Sequence, residues 1–261
     1  MTRLFPISQG RALVAAALFG LSGASGAAPF FWTDWVSSSA TNGFTALGTI
    51  TTSTSTVDVT YNNPQGISFI QTSPGQTDYW TPRADPSVSP YTSALVDNIP
   101  TGTDIVALNQ AGSQTLTFSQ AIANPVFAYV SLNGNGYSFL DQDFEILSQG
   151  GVGGNECGFW GCGSVSRVVV DLGNGHTEYR LIGSGEPHGV IRFAGTFSSL
   201  TWNSLNNENW NGFTVGVQGL AVDVFPPEPG PETPAQGVPE PGSLAMLGLG
   251  LLALLSARMR R

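Results

Sequence analysis

The sequence predicts an all-β protein whose core is an antiparallel β-sandwich of jelly-roll-like organisation. Two observations support this fold class: the chain has many short segments rich in β-branched and aromatic residues, and turn residues separate them at intervals of about 8–12 positions. A third is composition, because 33 Gly and 17 Pro in 261 residues favour strands and turns over helices. A closed barrel is the alternative that the same pattern allows.

The strand segments follow one another between residues 44 and 225 without an amphipathic helical pattern between them. Residues 114–119 (QTLTFS) alternate cleanly, which places Leu116 and Phe118 on one face. Residues 125–132 (PVFAYVSL) form a continuous apolar run, which is typical of a central strand covered on both faces. The other predicted strands are 44–50, 56–61, 66–72, 143–148, 166–172, 177–183, 189–195, 198–203 and 212–225.

Turn residues mark the connections between these segments. Asn174-Gly175 is a two-residue hairpin signal, and residues 133–136 (NGNG) and 99–102 (IPTG) are further turns. Residues 73–100 contain five prolines and interrupt the strand pattern. We expect this stretch to be a long ordered loop that crosses the sandwich, and long loops in compact domains are usually functional.

Residues 1–27 have the three parts of a secretory signal peptide. Arg3 and Arg11 supply the positive region, and an apolar segment follows at residues 12–21. Small residues then predict cleavage between Ala27 and Ala28. A short N-terminal membrane anchor is the alternative, although the apolar run is short for a bilayer.

The C-terminal region has two parts, a linker and an apolar helix. Residues 226–237 are acidic and rich in proline, a composition that extends a chain and holds a domain away from its anchor. Residues 242–257 are apolar on all sides and predict a short transmembrane helix of about 24 Å. A buried core helix is the alternative. The basic tip Arg258, Arg260 and Arg261 would lie in the cytoplasm.

Residues 238–261 resemble the PEP-CTERM sorting signal of Gram-negative bacteria. The triplet Pro239-Glu240-Pro241, a small polar turn, the apolar helix and the arginine cluster occur in that order. The same tail is also described as the C-terminal domain of ice-binding proteins, a name that carries no evidence of ice binding here. The resemblance implies cleavage near the triplet by an exosortase, a membrane cysteine transpeptidase. It implies an exported protein, anchored in the inner membrane as a precursor and later sorted to the cell surface or the exopolysaccharide of a biofilm matrix.

The middle of the chain carries a second resemblance. Residues 114–132 and 189–217 are similar to the sandwich domain common in PEP-CTERM proteins. The matching features are Asn124-Pro125-Val126, the FAGTFSSLTW segment and the ENWNGFTVGV segment. This similarity supports the predicted fold and implies no site residue.

The charge of the chain excludes nucleic acid as a partner. The net charge is −9, and all nine basic residues are arginine. Only four of these arginines lie between the two ends, and they are scattered along the chain. Phosphate binding requires clustered basic side chains. Removal of both ends would take five of the nine arginines, and the more acidic mature protein would repel anionic polymers.

Cys157 and Cys162 (ECGFWGC) are the only cysteines. Because exported proteins mature in an oxidising compartment, we predict a disulfide that closes a tight loop between strands. Two cysteines alone do not make a metal site, and their spacing excludes a C-x-x-C redox motif.

Three acidic residues, Asp141, Asp143 and Glu145, alternate in LDQDFEI. On one strand face they could hold Ca²⁺ with nearby carbonyl oxygens, or they could form a solvated outer face of the sandwich. The second interpretation predicts no metal and no cofactor, and it is the one that we adopt.

Both histidines lie near a glutamate, His176 with Glu178 and His188 with Glu186. They would approach each other only if strands 177–183 and 189–195 formed a hairpin, and we expect both to be surface-loop residues. The chain has no G-x-S-x-G nucleophile motif and no clear pair of catalytic carboxylates. We therefore predict that the protein is not an enzyme.

Aromatic residues in loops are the candidate ligand contacts. Tyr79 and Trp80 lie in the long loop, and Phe159 and Trp160 lie at the disulfide tip. Flat rings at a surface can stack on sugars, whereas the same rings in a strand-rich domain can be core. The predicted function is a non-enzymatic exported surface or matrix protein with carbohydrate binding. The alternatives are a hydrolase of extracellular polysaccharide and a purely adhesive structural protein.

Overall fold

The computed structural model describes residues 29–72, 74–81 and 88–227. The predicted signal peptide, most of the predicted linker and the predicted transmembrane helix lie outside the described residues. Within these ranges, no helix is long and apolar enough to cross a membrane. The chain divides at Val224 into two units, and the first of them contains all the strands that the structure describes.

The described part of the chain is almost entirely β-structure, with one short helix at its end. In chain order its elements are β1 (Phe31–Trp32), β2 (Asp34–Ser39), β3 (Phe44–Thr51), β4 (Thr56–Asn63), β5 (Phe69–Gln71), β6 (Ile105–Leu108), β7 (Gly112–Ala123), β8 (Val126–Val130), β9 (Gly136–Leu140), β10 (Glu145–Gln149), β11 (Gly163–Gly173), β12 (His176–Gly185), β13 (Gly189–Arg192), β14 (Thr196–Ser204), β15 (Asn211–Val217), β16 (Gly219–Leu220) and α1 (Ala221–Val224).

These strands form two separate antiparallel sheets, so the barrel alternative is wrong. The seven-stranded sheet has the order β10-β13-β8-β15-β6-β5, with β1 paired to β15. The nine-stranded sheet has the order β11-β12-β9-β14-β7-β4-β3-β2, with β16 paired to β7. The strand order is that of a jelly roll, in which successive strands alternate between the two sheets. The neighbours are β13-β8-β15-β6 in one sheet and β12-β9-β14-β7 in the other.

The two sheets share an aromatic core. Phe127 on β8 lies at its centre, with ring centroids 5.6 Å from Phe213 on β15 and 5.1 Å from Trp202 on β14. Tyr61 on β4 reaches across the same space to Phe213 at 5.3 Å. Because these rings come from both sheets, burial of their apolar area holds the sandwich together.

A second layer covers the outer face of the seven-stranded sheet. On β8 the residues Val126, Ala128 and Val130 point away from the shared core and pack with Trp80 and Tyr91 of the long loop. All five residues of β8 are therefore buried, as the continuous apolar run predicts. The described parts of the loop cross the sheet in the expected way.

The outermost hairpin joins β11 to β12. Asn174 and Gly175 at its tip have φ values of 55° and 80°, the left-handed pair that a two-residue type I′ turn requires. The predicted strands 177–183 and 189–195 lie in different sheets, because β12 pairs with β9 and β13 pairs with β8. A hairpin between those two segments does not form.

Two carboxyl groups, Asp34 and Asp104, lie close together where β2 begins and β6 is about to begin. Burial and, to a smaller extent, repulsion from Asp34 raise the pKa of Asp104 from 3.8 to about 6, while a backbone hydrogen bond from Trp35 opposes the shift. The folded state therefore holds this proton more tightly than the unfolded chain does. The resulting stabilisation is complete below about pH 4 and is lost as the pH rises through about 6.

We expect Asp104→Asn to flatten this pH dependence. At pH 7 the variant should gain about 1 kcal/mol of unfolding free energy, a value already discounted because Asp104 is only half-buried. The measurement is urea denaturation at pH 4, 5, 6 and 7. The matched control is Asp58→Asn, at an exposed position of β4. Equal pH profiles for the Asp104 variant and the unmodified protein would contradict this assignment.

Candidate functional site

A pocket lies at one end of the seven-stranded sheet and has a volume of about 340 Å³. Four loops form it: the β8–β9, β10–β11, β12–β13 and β14–β15 connections. They meet because the register places the end of β8 beside the starts of β13 and β15. Its lining combines aromatic, amide, hydroxyl and carboxylate groups, contributed by Ser131, Asn133, Trp160, Glu186, Glu208, Asn209 and Trp210.

Aromatic rings form one wall of the pocket and continue beside it. The Trp160 and Trp210 ring centroids are 6.3 Å apart, with ring planes inclined by 76°. Tyr79 lies 5.2 Å from Trp210 and 5.0 Å from Phe159, and Phe69 on β5 lies 5.1 Å from Trp210. Trp160 is 51% exposed, so its indole offers a large flat surface to a ligand. We call Phe69, Tyr79, Phe159, Trp160 and Trp210 the aromatic cluster.

A disulfide fixes the loop that carries two of these rings. Cys157 and Cys162 are bonded, with 4.7 Å between their Cα atoms, which confirms the predicted pair. Gly161 N–H donates to the Gly158 carbonyl within the closed loop. The disulfide and this turn hold Phe159 and Trp160 at the tip beside Tyr79.

Two carboxylates line the same pocket. Glu186 accepts hydrogen bonds from the Ser131 hydroxyl and from Asn133 Nδ2, the latter at 2.7 Å. Glu208 accepts from Asn135 Nδ2 at 3.1 Å and from the Asn211 amide.

The surroundings of Glu208 shift the pKa of its carboxyl upward. Burial raises the pKa of this carboxyl, and the charge of Glu186 raises it further. The amide hydrogen bonds from Asn211 and Asn135 work in the opposite direction and offset part of the shift. The pocket therefore holds two acidic groups in unequal surroundings.

The sequence located part of this site. Three of the candidates for ligand contact, Tyr79, Phe159 and Trp160, lie beside one another, and Trp160 lines the pocket. Trp80 was a wrong candidate, because it is fully buried against Tyr91 and its indole N–H donates to the Asp104 carbonyl. Trp210 and Glu208 were missed, although Glu-Asn-Trp directly before an apolar strand places both residues in a loop.

The two histidines have different surroundings. His176 is exposed, as predicted, and its Nδ1 pairs with Asp141 at 2.6 Å. His188 is buried instead of lying on the surface, and its Nδ1 is 2.9 Å from the Tyr91 hydroxyl. Burial lowers the pKa of His188 to about 4, so the ring is neutral near pH 7.

Gly158 packs directly over the His188 ring, where a Cβ atom would lie 2.1 Å from Cγ. We expect Gly158→Ala to cost about 1–3 kcal/mol of unfolding free energy through overpacking. The measurement is chemical denaturation of Gly158→Ala, His188→Ala and the double variant. The cost of the alanine should shrink when His188 is already removed, and an unchanged cost would contradict the contact as its cause.

The premise of the calcium hypothesis, that Asp141, Asp143 and Glu145 lie on one strand face, is wrong. The first two residues lie in the connection before β10, so the three do not share a strand face. Each has its own cationic or titratable partner: Asp141 has His176, Asp143 has Arg167 at 2.6 Å, and Glu145 has Arg192 at 2.7 Å. In the described residues no group of three or more His, Cys, Asp or Glu residues is arranged to hold a metal ion.

The comparisons with known proteins concern the tail. The model of the PEP-CTERM protein-sorting motif matches residues 237–261, which confirms the resemblance of the C-terminal segment. No curated protein and no solved structure matches the chain. The sorting residues Pro239, Glu240, Pro241, Arg258, Arg260 and Arg261, and the cleavage site at Ala27 and Ala28, lie outside the described residues.

Proposed function

We propose that the protein is a non-enzymatic exported protein, sorted through its C-terminal tail, whose sandwich domain binds carbohydrate of the exopolysaccharide or biofilm matrix. The match to the PEP-CTERM motif supports export of a membrane-anchored precursor in a Gram-negative bacterium and its processing by an exosortase. Carbohydrate binding, and the location of the mature protein at the cell surface or in the matrix, are what we propose beyond this match.

One observation carries the binding function: two inclined indoles stand beside hydrogen-bonding groups in a single open pocket. Stacking on an indole suits the apolar C–H face of a sugar ring, while its hydroxyls need amides and carboxylates as partners. Asn133, Asn209 and the two glutamates supply such partners. The disulfide holds Trp160 before the ligand arrives, which lowers the entropic cost of binding.

The pocket lies at the end of the sheet where β15 begins. β15 begins beside the pocket at Asn211 and runs about 20 Å to Val217. β1, near the start of the described chain, pairs with this far end of β15. β15 therefore leads from the pocket toward the opposite end of the sheet.

Trp160→Ala tests the binding function. We expect affinity for a polysaccharide that the unmodified domain binds to fall roughly 30-fold, because exposed tryptophans in a pocket are typical hot spots. Glycan-array screening would find the ligand, and calorimetric titration would compare the variants. Val169→Ala, half-exposed on β11, is the control and should bind normally. Unchanged affinity of the Trp160 variant would contradict the proposed site.

A second candidate function is hydrolysis of extracellular polysaccharide. It is favoured by the presence of Glu186 and Glu208 in one pocket, with the pKa of Glu208 raised as a general acid requires. Release of reducing ends from bound polysaccharide would reveal this activity. Glu208→Gln should then abolish release while binding persists. Binding without any release supports the non-enzymatic function.

A further inference from the structure

We propose that the pocket selects sugars that carry a free, protonated amine, such as the 2-amino-2-deoxy sugars of de-N-acetylated polysaccharides. This inference rests on the proposed carbohydrate-binding function and names the ligand class of the same site. Three features of the described residues support it: the charge of the lining, the free acceptor positions on the carboxylates, and the aromatic wall.

The lining that the described residues form is acidic and contains no cationic side chain. Glu186 and Glu208 both contribute to it, whereas the described arginines lie elsewhere. Each of these arginines already pairs with a carboxylate: Arg167 with Asp143, Arg180 with Glu178 and Arg192 with Glu145. The chain has no lysine. A ligand with a positive charge is therefore attracted, and a uronic acid or a sulfated sugar is repelled.

The carboxylates retain acceptor positions for a ligand. Glu186 accepts one hydrogen bond at each oxygen, from Ser131 and from Asn133, although a carboxylate accepts about four in all. The amides of Asn135 and Asn211 both contact Oε1 of Glu208. In the described part of the chain no donor contacts Glu208 Oε2. An ammonium group has three donors and no acceptor, so it matches these sites better than a hydroxyl does.

The aromatic wall also favours a cation. Trp160 and Trp210 line the pocket with ring planes inclined by 76°, and Tyr79 lies beside both rings. An ammonium group is attracted to the face of an aromatic ring, most strongly to that of tryptophan. An amino sugar satisfies both demands at once, because its C–H face stacks on one ring while its amine meets the carboxylates. N-acetylation removes the charge and leaves the stacking and the neutral hydrogen bonds.

The test compares tetrasaccharides of one backbone that differ in charge. Calorimetric titration of the full domain would use a glucosamine tetramer, its fully N-acetylated form, a neutral glucose tetramer and a uronate tetramer in one mildly acidic buffer. We expect the free amine to bind at least about 10-fold more tightly than the N-acetylated form, with an affinity that falls as salt is added. The uronate should not bind.

Substitutions separate charge from shape. Glu186→Gln keeps the size of the side chain and one of its two acceptor oxygens while it removes the charge, and it should reduce the preference for the amine to less than about threefold. Asp58→Asn removes the same charge from an exposed position on β4 and should leave the preference intact. Thermal unfolding would confirm that each variant is folded.

The outcomes distinguish the two proposals. Tighter binding of the amine, lost in Glu186→Gln and kept in Asp58→Asn, supports the inference. Equal binding of the neutral, N-acetylated and amine forms would overturn the inference and leave carbohydrate binding standing. Failure of every saccharide, including those on a broad glycan array, would overturn the proposed function and this inference with it.

Discussion

Phe127→Ala is expected to lower the free energy of unfolding by about 3–5 kcal/mol, the cost of emptying a phenylalanine site in a packed core. Phe127 is fully buried on the central strand β8. Its ring contacts four others: Phe139 at 6.3 Å, Phe193 at 5.7 Å, Trp202 at 5.1 Å and Phe213 at 5.6 Å. These rings belong to both sheets, so the cavity would open where the sheets meet and could collapse only by moving them.

Equilibrium denaturation in urea, followed by tryptophan fluorescence and by circular dichroism, measures this loss. Val36→Ala is the control, because Val36 is 55% exposed on β2 and should change stability by less than about 0.5 kcal/mol. A loss below about 1 kcal/mol for Phe127→Ala would mean that the two sheets do not depend on this shared core.

Gly183→Ala is expected to cost at least about 3 kcal/mol and also to weaken ligand binding. Gly183 lies on β12, and a Cβ there would stand 1.9 Å from the carbonyl oxygen of Leu132. The obstacle is backbone, so no side chain can rotate away from it. Gly183 N–H also donates to the Asn135 carbonyl at 2.9 Å. The loop that would have to move carries Ser131 and Asn133 into the pocket.

Gly134→Ala is the matched control in the same loop. Its φ is 62° and a Cβ would meet nothing within 4 Å, so only the left-handed conformation is penalised, by about 1 kcal/mol. Denaturation and calorimetric titration with the same saccharide would compare the two variants. Similar losses of stability for both would show that backbone conformation, and not the close approach to Leu132, sets the cost.

Local sequence pattern was sufficient for most of the fold. The alternation of residues 56–61 corresponds to β4, and the Asn174-Gly175 signal forms the turn that it predicts. Four strands were missed: β1 has only two residues, β2 is mostly polar and exposed at a sheet edge, β6 has only four residues, and β9 begins directly at a glycine-rich turn. Each lacks the length or the alternation from which a strand is recognised.

Burial and the composition of the site depend on contacts between distant segments. Trp80 and Trp160 both lie in loops, but in different ones. Trp80 lies in the long loop that covers the seven-stranded sheet and is buried, whereas Trp160 lies at the disulfide tip and is exposed. Glu186 and Glu208 are brought together by the register of β13, β8 and β15. The residue pattern of one segment contains no information on that register. The sequence therefore could not predict that Glu186 and Glu208 line one pocket.

The distribution of the six tryptophans gives the pocket an optical signal of its own. Trp32, Trp35, Trp80 and Trp202 are buried, whereas Trp160 and Trp210 stand at the pocket. A neutral quencher dissolved in water would therefore quench the fluorescence of Trp160 and Trp210 and leave that of the four buried tryptophans largely unchanged. A saccharide seated on the two indoles would shield them from the quencher. The fraction of tryptophan fluorescence that the quencher can reach thus reports occupancy of the pocket, without a label on the protein or the sugar.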